Sequence, residues 1–214
     1  DERVNQQTIV YDLGSAVSDS AWTLRSEIDF TSVDQSGSGS SVYRFFFGLH
    51  DQSDPEYGFD NSNSPDFLGL HSKISPSGAS NYLQHSVDEY YNGGSINEPT
   101  STNFSHGIQV ETIWVEMIRD GSSFSIEFFN NDGYSTGSIE KQTHTLSGTP
   151  ENLQYLIVSN SESGSENASV SFEGTIDDIQ IDDGATTFAT ADHDIDFSPP
   201  DTQVQVTSQQ YSVI

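Results

Sequence analysis

The stretch that decides the fold is IWVEMIRDGSSFSIEFF, residues 113–129. Two runs that alternate apolar and polar residues flank the Asp-Gly pair at 120–121, and this pattern predicts a β-hairpin with a two-residue type I′ turn. We expect Arg119 to face Ser122 across the hairpin. One face of the hairpin then carries six apolar side chains, which are Ile113, Val115, Met117, Phe124, Ile126 and Phe128. Because a lone hairpin is marginal in water, this face needs a second sheet to cover it.

The same period of two recurs along the chain. Residues 22–30 alternate as a half-buried strand does, and residues 42–49 are apolar on both faces, as is typical of a central strand. Apolar residues at 170–181 change parity, which predicts a β-bulge near Asp177-Asp178. We find no helical period of useful length in the sequence. We therefore predict an all-β sandwich of roughly ten to thirteen strands.

The composition excludes several classes of function. Six Lys and Arg against 33 Asp and Glu give a formal net charge of −27, which repels nucleic-acid phosphate and anionic lipid surfaces. The shortage of Lys also indicates a surface suited to saline conditions, where charge repulsion is screened within about 3 to 10 Å. The chain has no Cys, so disulfides and thiolate chemistry are excluded.

The sequence also predicts where the protein is found. It starts with Asp1, and it contains no apolar run of roughly the 18 residues that a membrane span needs. We interpret it as the mature chain of a secreted, cell-surface protein whose signal peptide has been removed. Two sequons, at Asn103 and Asn167, are candidate N-glycosylation sites and fit an extracellular surface.

Five segments resemble the concanavalin A-like lectin/glucanase superfamily. They are YDLGSA at 11–16, AWTLR at 21–25, the hairpin at 114–129, residues 153–160 and GTIDDI at 174–179. Within that superfamily the chain is similar to laminin-G-like domains of secreted archaeal and bacterial surface proteins, over about residues 8–184. The resemblance implies a jelly-roll sandwich of two antiparallel sheets whose first and last strands pair. It implies no single activity, because the superfamily includes lectins, glycosidases and structural modules.

One strand is similar to a glucanase motif but is incomplete. Glu27-Ile28-Asp29-Phe30 begins the motif, yet positions 31 and 32 are Thr and Ser where the motif has a second Glu. Hydrolysis of a glycosidic bond normally uses two carboxyl groups about 5 to 9.5 Å apart. We therefore predict that the protein is not an enzyme and that Glu27 and Asp29 are the outward half of an alternating strand.

Residues 51–66 form a polar loop with a candidate calcium site. Its acidic side chains are Asp51, Asp54, Glu56, Asp60 and Asp66. Ca²⁺ takes roughly six to eight oxygen ligands, so the composition is suitable, although no EF-hand spacing is present. The alternative is a solvated acidic loop in an acidic protein. A second acidic cluster, Asp177, Asp178, Asp182 and Asp183, has the same two interpretations.

A second long loop, residues 88–106, contains a candidate glycan site. Tyr90, Tyr91 and Asn92 precede two glycines, and tyrosine rings with polar neighbours are suited to stacking on sugar rings. The alternative is that these tyrosines pack the loop onto the sandwich. Long loops on a rigid β scaffold often contain binding residues.

The chain after residue 184 forms a separate segment in this interpretation. We divide the sequence into a sandwich domain, residues 1–184, and an extended connector and strand, residues 185–214. Apolar residues near the terminus could pair with a sheet edge; they are Val204, Val206, Tyr211, Val213 and Ile214. This C-terminal strand either folds back on its own sandwich or adds to a neighbouring copy, which would build a filament.

Two functions follow from these patterns. The first is an extracellular structural protein that assembles with itself into a filament or surface layer by donating its C-terminal strand. The second is a carbohydrate-binding, lectin-like module assisted by Ca²⁺, with no other cofactor expected. Neither involves nucleic acid or insertion into a membrane.

Overall fold

The computed structural model shows an all-β jelly-roll sandwich of two antiparallel sheets. It describes residues 7–37, 42–53, 66–77, 80–90, 106–107, 111–163, 168–185, 187–189 and 195–196. This part of the chain contains thirteen strands and no helix, which confirms the predicted fold class. Across these residues there is accordingly no helix that could cross a membrane.

The strands divide into one sheet of six and one of seven. In chain order they are β1 (Gln7–Asp12), β2 (Ala21–Gly37), β3 (Val42–His50), β4 (Phe67–Ser77), β5 (Ser80–Tyr90), β6 (His106–Gly107), β7 (Glu111–Asp120), β8 (Ser123–Phe129), β9 (Ser138–Thr145), β10 (Tyr155–Ser163), β11 (Ala168–Asp182), β12 (Thr187–Ala189) and β13 (Ile195–Asp196). The six-stranded sheet has the order β1-β10-β3-β4-β5-β6. The seven-stranded sheet has the order β12-β11-β2-β7-β8-β9, and β13 also pairs with β11.

The position of β3 agrees with its sequence, whereas the first strand pairs differently from our expectation. The apolar strand β3 lies between β10 and β4, so it is central as predicted. The expected pairing of the first and last strands of the domain is wrong, because β1 pairs with β10. β11 belongs to the other sheet, where it pairs with β2.

The core lies between the two sheets and follows from alternation along their strands. In β2 the side chains of Trp22, Leu24, Ile28 and Phe30 are all buried in it. The six apolar hairpin residues are also buried, each at most 3% exposed. The Trp22 ring packs 5.6 Å from the ring of Phe124, centroid to centroid, which joins β2 to β8.

The central hairpin has the predicted faces but a different register. Asp120 pairs with Ser123 and Met117 with Ile126, so each partner is two residues from the predicted one. The turn is centred on Gly121-Ser122, and of these two residues only Gly121 has a positive φ, 58°. This pattern is typical of a type II′ turn, which needs positive φ only at its first central position. Because the shift is even, every side chain stays on its predicted face.

The predicted bulge in β11 is confirmed. The register between β11 and β2 shifts between Asp177 and Gln180. Asp178 lies in this irregularity with a φ of 51°. The bulge turns Ile179 and Ile181 back towards the core, in which both are buried.

The chain returns to the sandwich after residue 184. β12 and β13 both pair with β11, and Ile195 is 3% exposed within the core. The start of the predicted connector therefore adds two short strands at the edge of the seven-stranded sheet. The proposed donor strand, including Val204, Val206, Tyr211, Val213 and Ile214, lies outside the described residues.

Candidate functional site

The outer face of the seven-stranded sheet combines aromatic and charged side chains. Glu27 on β2 faces Trp114 on β7. Two residues along, Arg25 faces Glu116. Because successive side chains of a strand point to opposite faces, these four point away from the core. We define the aromatic-acidic patch as Arg25, Glu27, Trp114, Glu116, Tyr134 and Asp178.

Arg25 is fixed in the patch by a carboxylate and a ring. Its Nη2 and Nε atoms lie 2.6 and 2.8 Å from Oε1 of Glu116. The guanidinium carbon lies 5.2 Å from the centroid of the Tyr134 ring, within the range of a cation–π contact. The Tyr134 ring in turn packs edge-on against Phe129, with 5.6 Å between centroids. Burial raises the pKa of Tyr134 to about 12, so its ring remains neutral over the physiological range.

Tyr134 is carried by a short loop between β8 and β9 that hydrogen bonds stabilise. Nδ2 of Asn131 donates to the carbonyl of Thr136 at 2.9 Å, and its Oδ1 accepts from the amide of Gly133 at 3.0 Å. Tyr134 has a φ of 47°, a left-handed conformation that costs a non-glycine residue on the order of 1 kcal/mol. The loop therefore holds the ring over Arg25 at a cost in backbone energy.

Backbone strain is concentrated at the patch. Within the described residues, three non-glycine residues have positive φ, and two of these, Tyr134 and Asp178, belong to the patch. Strained residues of this kind tend to cluster at functional sites. This concentration distinguishes the patch from the rest of the described surface.

Glu27 is a patch carboxylate that lies near other carboxylates. Burial raises its pKa, and the carboxylates of Asp178 and Asp177 raise it further. The indole N–H of Trp114 opposes this shift, although Nε1 makes no hydrogen bond of good geometry among the described residues. We infer that the indole is near enough to act on the charge of Glu27 without forming a well-aligned bond. No Lys or Arg in the described part of the chain acts on the Glu27 carboxylate.

The outer face of the six-stranded sheet is closed by comparison. Phe46, Phe67, His71 and Asp88 are each at most 1% exposed. The His71 ring stacks on Phe46 at 5.1 Å between centroids, and its Nδ1 lies 3.8 Å from Oδ2 of Asp88. Because these four side chains are buried, this face is a weaker candidate than the patch.

Of the predicted calcium ligands, the described structure includes Asp51 and Asp66. The amide of Asp51 donates to the carbonyl of Asp66 at 3.1 Å, and Oδ2 of Asp66 accepts from the amide of Glu151 at 2.8 Å. Burial, with a contribution from the Asp66 carboxylate, raises the pKa of Asp51 to about 6. No group of three metal-binding side chains is found in the described ranges, whereas Asp54, Glu56 and Asp60 lie outside them. The calcium site stays a prediction.

The other predicted site residues fall largely outside the described chain. The backbone of Tyr90 ends β5 and pairs with Phe67, which places the start of the second loop beside Asp66. Tyr91 and Asn92 are outside the described residues, as are the sequons at Asn103 and Asn167. The glycan and glycosylation predictions at these positions stay predictions.

A second carboxylate does lie opposite Glu27, on another strand. Asp177 of β11 pairs with Glu27 across the sheet, and Asp29 faces outward with Oδ1 accepting from Oγ1 of Thr112 at 2.9 Å. The sequence of one strand does not reveal Asp177, because only the register of β11 against β2 brings it there. The prediction that the protein is not an enzyme stays a prediction.

Comparisons with known proteins give similarity of architecture without a close relative. No protein family matches the sequence, and no curated protein is similar to it. The similar solved structures include the CBM2 module of the evolved Dit of Lactobacillus casei BL23 phage J-1, which is 12% identical with a TM-score of 0.43. The match covers 88% of this chain and 70% of that module.

Two further similar structures differ in activity. Klebsiella pneumoniae alginate lyase is 16% identical with a TM-score of 0.41, over 77% of this chain and 60% of the lyase. Toad ovary galectin in complex with thio-digalactose is 11% identical with a TM-score of 0.33, over 76% of this chain and 97% of the galectin. These are β-sandwich proteins, and similarity at this level carries neither an activity nor a ligand to this chain.

Proposed function

We propose that this protein is an extracellular carbohydrate-binding module and that the aromatic-acidic patch is its sugar-binding face. The observation that supports the proposal most is the position of Trp114, which is partly exposed in the middle of the seven-stranded sheet with Glu27 on the neighbouring strand. An aromatic ring offers an apolar surface to the face of a sugar ring, and adjacent carboxylates accept hydrogen bonds from its hydroxyl groups.

The rigidity of the patch supports the same proposal. Arg25 is held by Glu116 and by the Tyr134 ring, so its outward N–H groups are already oriented. Side chains fixed before binding lose less conformational entropy on binding, which raises affinity without additional contacts. The patch therefore has the preorganisation that recognition of a weakly hydrophobic ligand requires.

The filament proposal rests on different residues. It depends on the strand at residues 201–214, which lies outside the described part of the chain. We keep it as the second candidate, because β12 and β13 already lie along the edge of the seven-stranded sheet.

A glycan array tests the proposed function with a matched pair of variants. Wild type, Trp114→Leu and Tyr155→Leu are applied to the same array, with and without calcium. Tyr155 is a partly buried aromatic residue on the opposite sheet, so it controls for the general loss of a ring. We expect wild type and Tyr155→Leu to bind the same glycans and Trp114→Leu to lose them. An array without any signal from wild type, or equal signals from all three proteins, would contradict the proposal.

A further inference from the structure

The patch contains two aromatic rings that lie close to carboxylates, and only one has a cation among the described residues. Tyr134 and Glu116 hold the guanidinium of Arg25 between them. Trp114 and Glu27 face each other across β7 and β2. No basic side chain in the described ranges acts on Glu27.

The charges around Trp114 favour a positive ligand. Arg25 is neutralised by Glu116, and Lys141 by Glu127 at 3.0 Å. Among the described residues no base acts on Glu27, and the carboxylates of Asp177 and Asp178 repel it. A cation beside Glu27 would relieve this repulsion, and the indole face would attract it through the ring quadrupole.

We propose that Trp114 and Glu27 bind the ammonium group of an amino sugar, so that the ligand is a glycan with free amino groups. This inference rests on the proposed function and narrows it to one substrate class. The Tyr134–Arg25–Glu116 contact is the intramolecular example of the same recognition. Acidic glycans are excluded by the repulsion from Glu27, and an N-acetylated sugar carries no charge to compensate it.

A lysine side chain of another protein is the competing source of an ammonium group. An amino sugar fits this site better, because its ring can stack on Trp114 while its ammonium group contacts Glu27. Lysine has a flexible stem that loses rotamer entropy when it is fixed. The experiment therefore includes a lysine peptide as a separate ligand.

Calorimetric titration distinguishes these ligands. The probes are a β-linked glucosamine tetramer, its N-acetylated form and a hexalysine peptide, each titrated at about 0.1 M salt, where screening acts over about 10 Å. The proteins are wild type, Glu27→Gln and Asp120→Asn; Asp120 is exposed at the hairpin turn, and its substitution changes the net charge by the same amount. Thermal unfolding verifies that each variant is folded.

We expect the glucosamine tetramer to bind wild type and Asp120→Asn equally and to bind Glu27→Gln about tenfold more weakly, a loss of about 1.4 kcal/mol. Equal binding of both tetramers to wild type and Glu27→Gln would overturn the ammonium site and leave the proposed function intact. If Asp120→Asn weakens binding of the glucosamine tetramer as much as Glu27→Gln does, or if hexalysine binds as tightly as the tetramer, the binding is general charge attraction. Either result would overturn the ammonium site. If neither tetramer binds and the array also gives no signal, the proposed function fails with it.

Discussion

Glu89 on β5 and Gln142 on β9 form hydrogen bonds between the two sheets at one side of the sandwich, in opposite directions. The side-chain oxygen Oε1 of Gln142 accepts a hydrogen bond from the main-chain amide of Val87 at 3.3 Å. Its Nε2 donates to the main-chain carbonyl of His85 at 3.2 Å. The Glu89 carboxylate accepts from the amides of Ser147 and Gly148, each at 2.9 Å. Each residue thus satisfies main-chain groups on, or just beyond, the other's strand, and together they close the side of the sandwich.

This reciprocal arrangement predicts that substitutions of Glu89 and Gln142 have large effects on stability that depend on each other. Glu89 is 1% exposed and also lies 2.8 Å from Nε2 of His144. Glu89→Gln replaces charge-assisted hydrogen bonds by weaker ones, and we expect it to lower the free energy of unfolding by about 1.5 to 3 kcal/mol. Gln142→Leu removes the side-chain hydrogen bonds to two buried main-chain groups of β5 and should cost about 1 to 3 kcal/mol.

Denaturant unfolding of both single variants and the double variant measures the coupling. We expect a coupling energy of about 0.5 kcal/mol or more, because Glu89 and Gln142 both join β5 to β9 and the residues just after it. Gln180→Ala, at an exposed position of β11, is the control. If the losses in free energy of unfolding are strictly additive, Glu89 and Gln142 act independently.

A second prediction concerns the close approach of β3 and β4. Gly48 and Gly69 face each other, and a Cβ at residue 69 would lie 2.4 Å from the carbonyl oxygen of Phe47 and 2.7 Å from Cα of Gly48. We expect Gly69→Ala to destabilise the fold by about 3 kcal/mol, because the contacts are with main chain. Gly14→Ala, with a φ of 80° and open space around it, should cost only about 1 kcal/mol. An equal loss in both variants would contradict the packing argument.

A third prediction concerns the pH dependence of Glu27. Burial and the nearby Asp178 and Asp177 raise the pKa of Glu27 in the folded protein. When the pKa of a group is higher in the folded than in the unfolded protein, the group contributes stability at a pH below its unfolded-state pKa. This contribution is lost as the pH rises through the folded-state pKa. Glu27→Gln should therefore unfold at a higher temperature than wild type at neutral pH, and the difference should vanish below pH 4.5, the ordinary value for Glu. A variant less stable than wild type at neutral pH would show that the Glu27 charge stabilises the fold.

A fourth prediction follows from the net charge of −27. Repulsion between carboxylates should lower the melting temperature at low salt, and added NaCl should raise it. The rise should level off near 1 M, where screening acts within about 3 Å. A melting temperature that does not change with salt would contradict the predicted adaptation to saline conditions.

A fifth prediction tests the filament alternative. Removing residues 199–214 takes away the proposed donor strand and leaves β12 and β13 in place. If the protein assembles by strand donation, electron micrographs should show filaments of the full chain and none of the shortened chain, while both give the same circular dichroism. Filaments formed by the shortened chain would refute donation by this segment.

Local patterns predicted the strands well, because adjacent residues of a strand point to opposite faces and alternate between apolar and polar. The alternation in β2 and both arms of the hairpin is an example. The turn was harder, since both Asp120-Gly121 and Gly121-Ser122 are acceptable two-residue turns and the choice between them depends on twist and on neighbouring strands. The side chains were still assigned to the correct faces, because the hairpin register differs from the predicted one by two residues, an even number.

The patch was beyond the reach of local patterns. Arg25, Glu27 and Trp114 are ordinary outward residues of two strands, and Asp178 comes from a third, so the site exists only through the pairing order β11-β2-β7. Trp114 on the polar face of the hairpin was the one available signal. The acidic loop at residues 51–66 was predicted as a site instead, because its carboxylates are close in sequence.

The most direct test of sugar binding at the patch uses the two tryptophans of the chain. Trp22 is 2% exposed in the core, whereas Trp114 lies in the aromatic-acidic patch. The protein is labelled with ¹⁵N and titrated with a glycan identified on the array, and the two indole N–H resonances are followed by NMR. We predict that the Trp114 resonance shifts with ligand concentration and that the Trp22 resonance does not. Saturable binding that leaves the Trp114 resonance unchanged would contradict the proposed site.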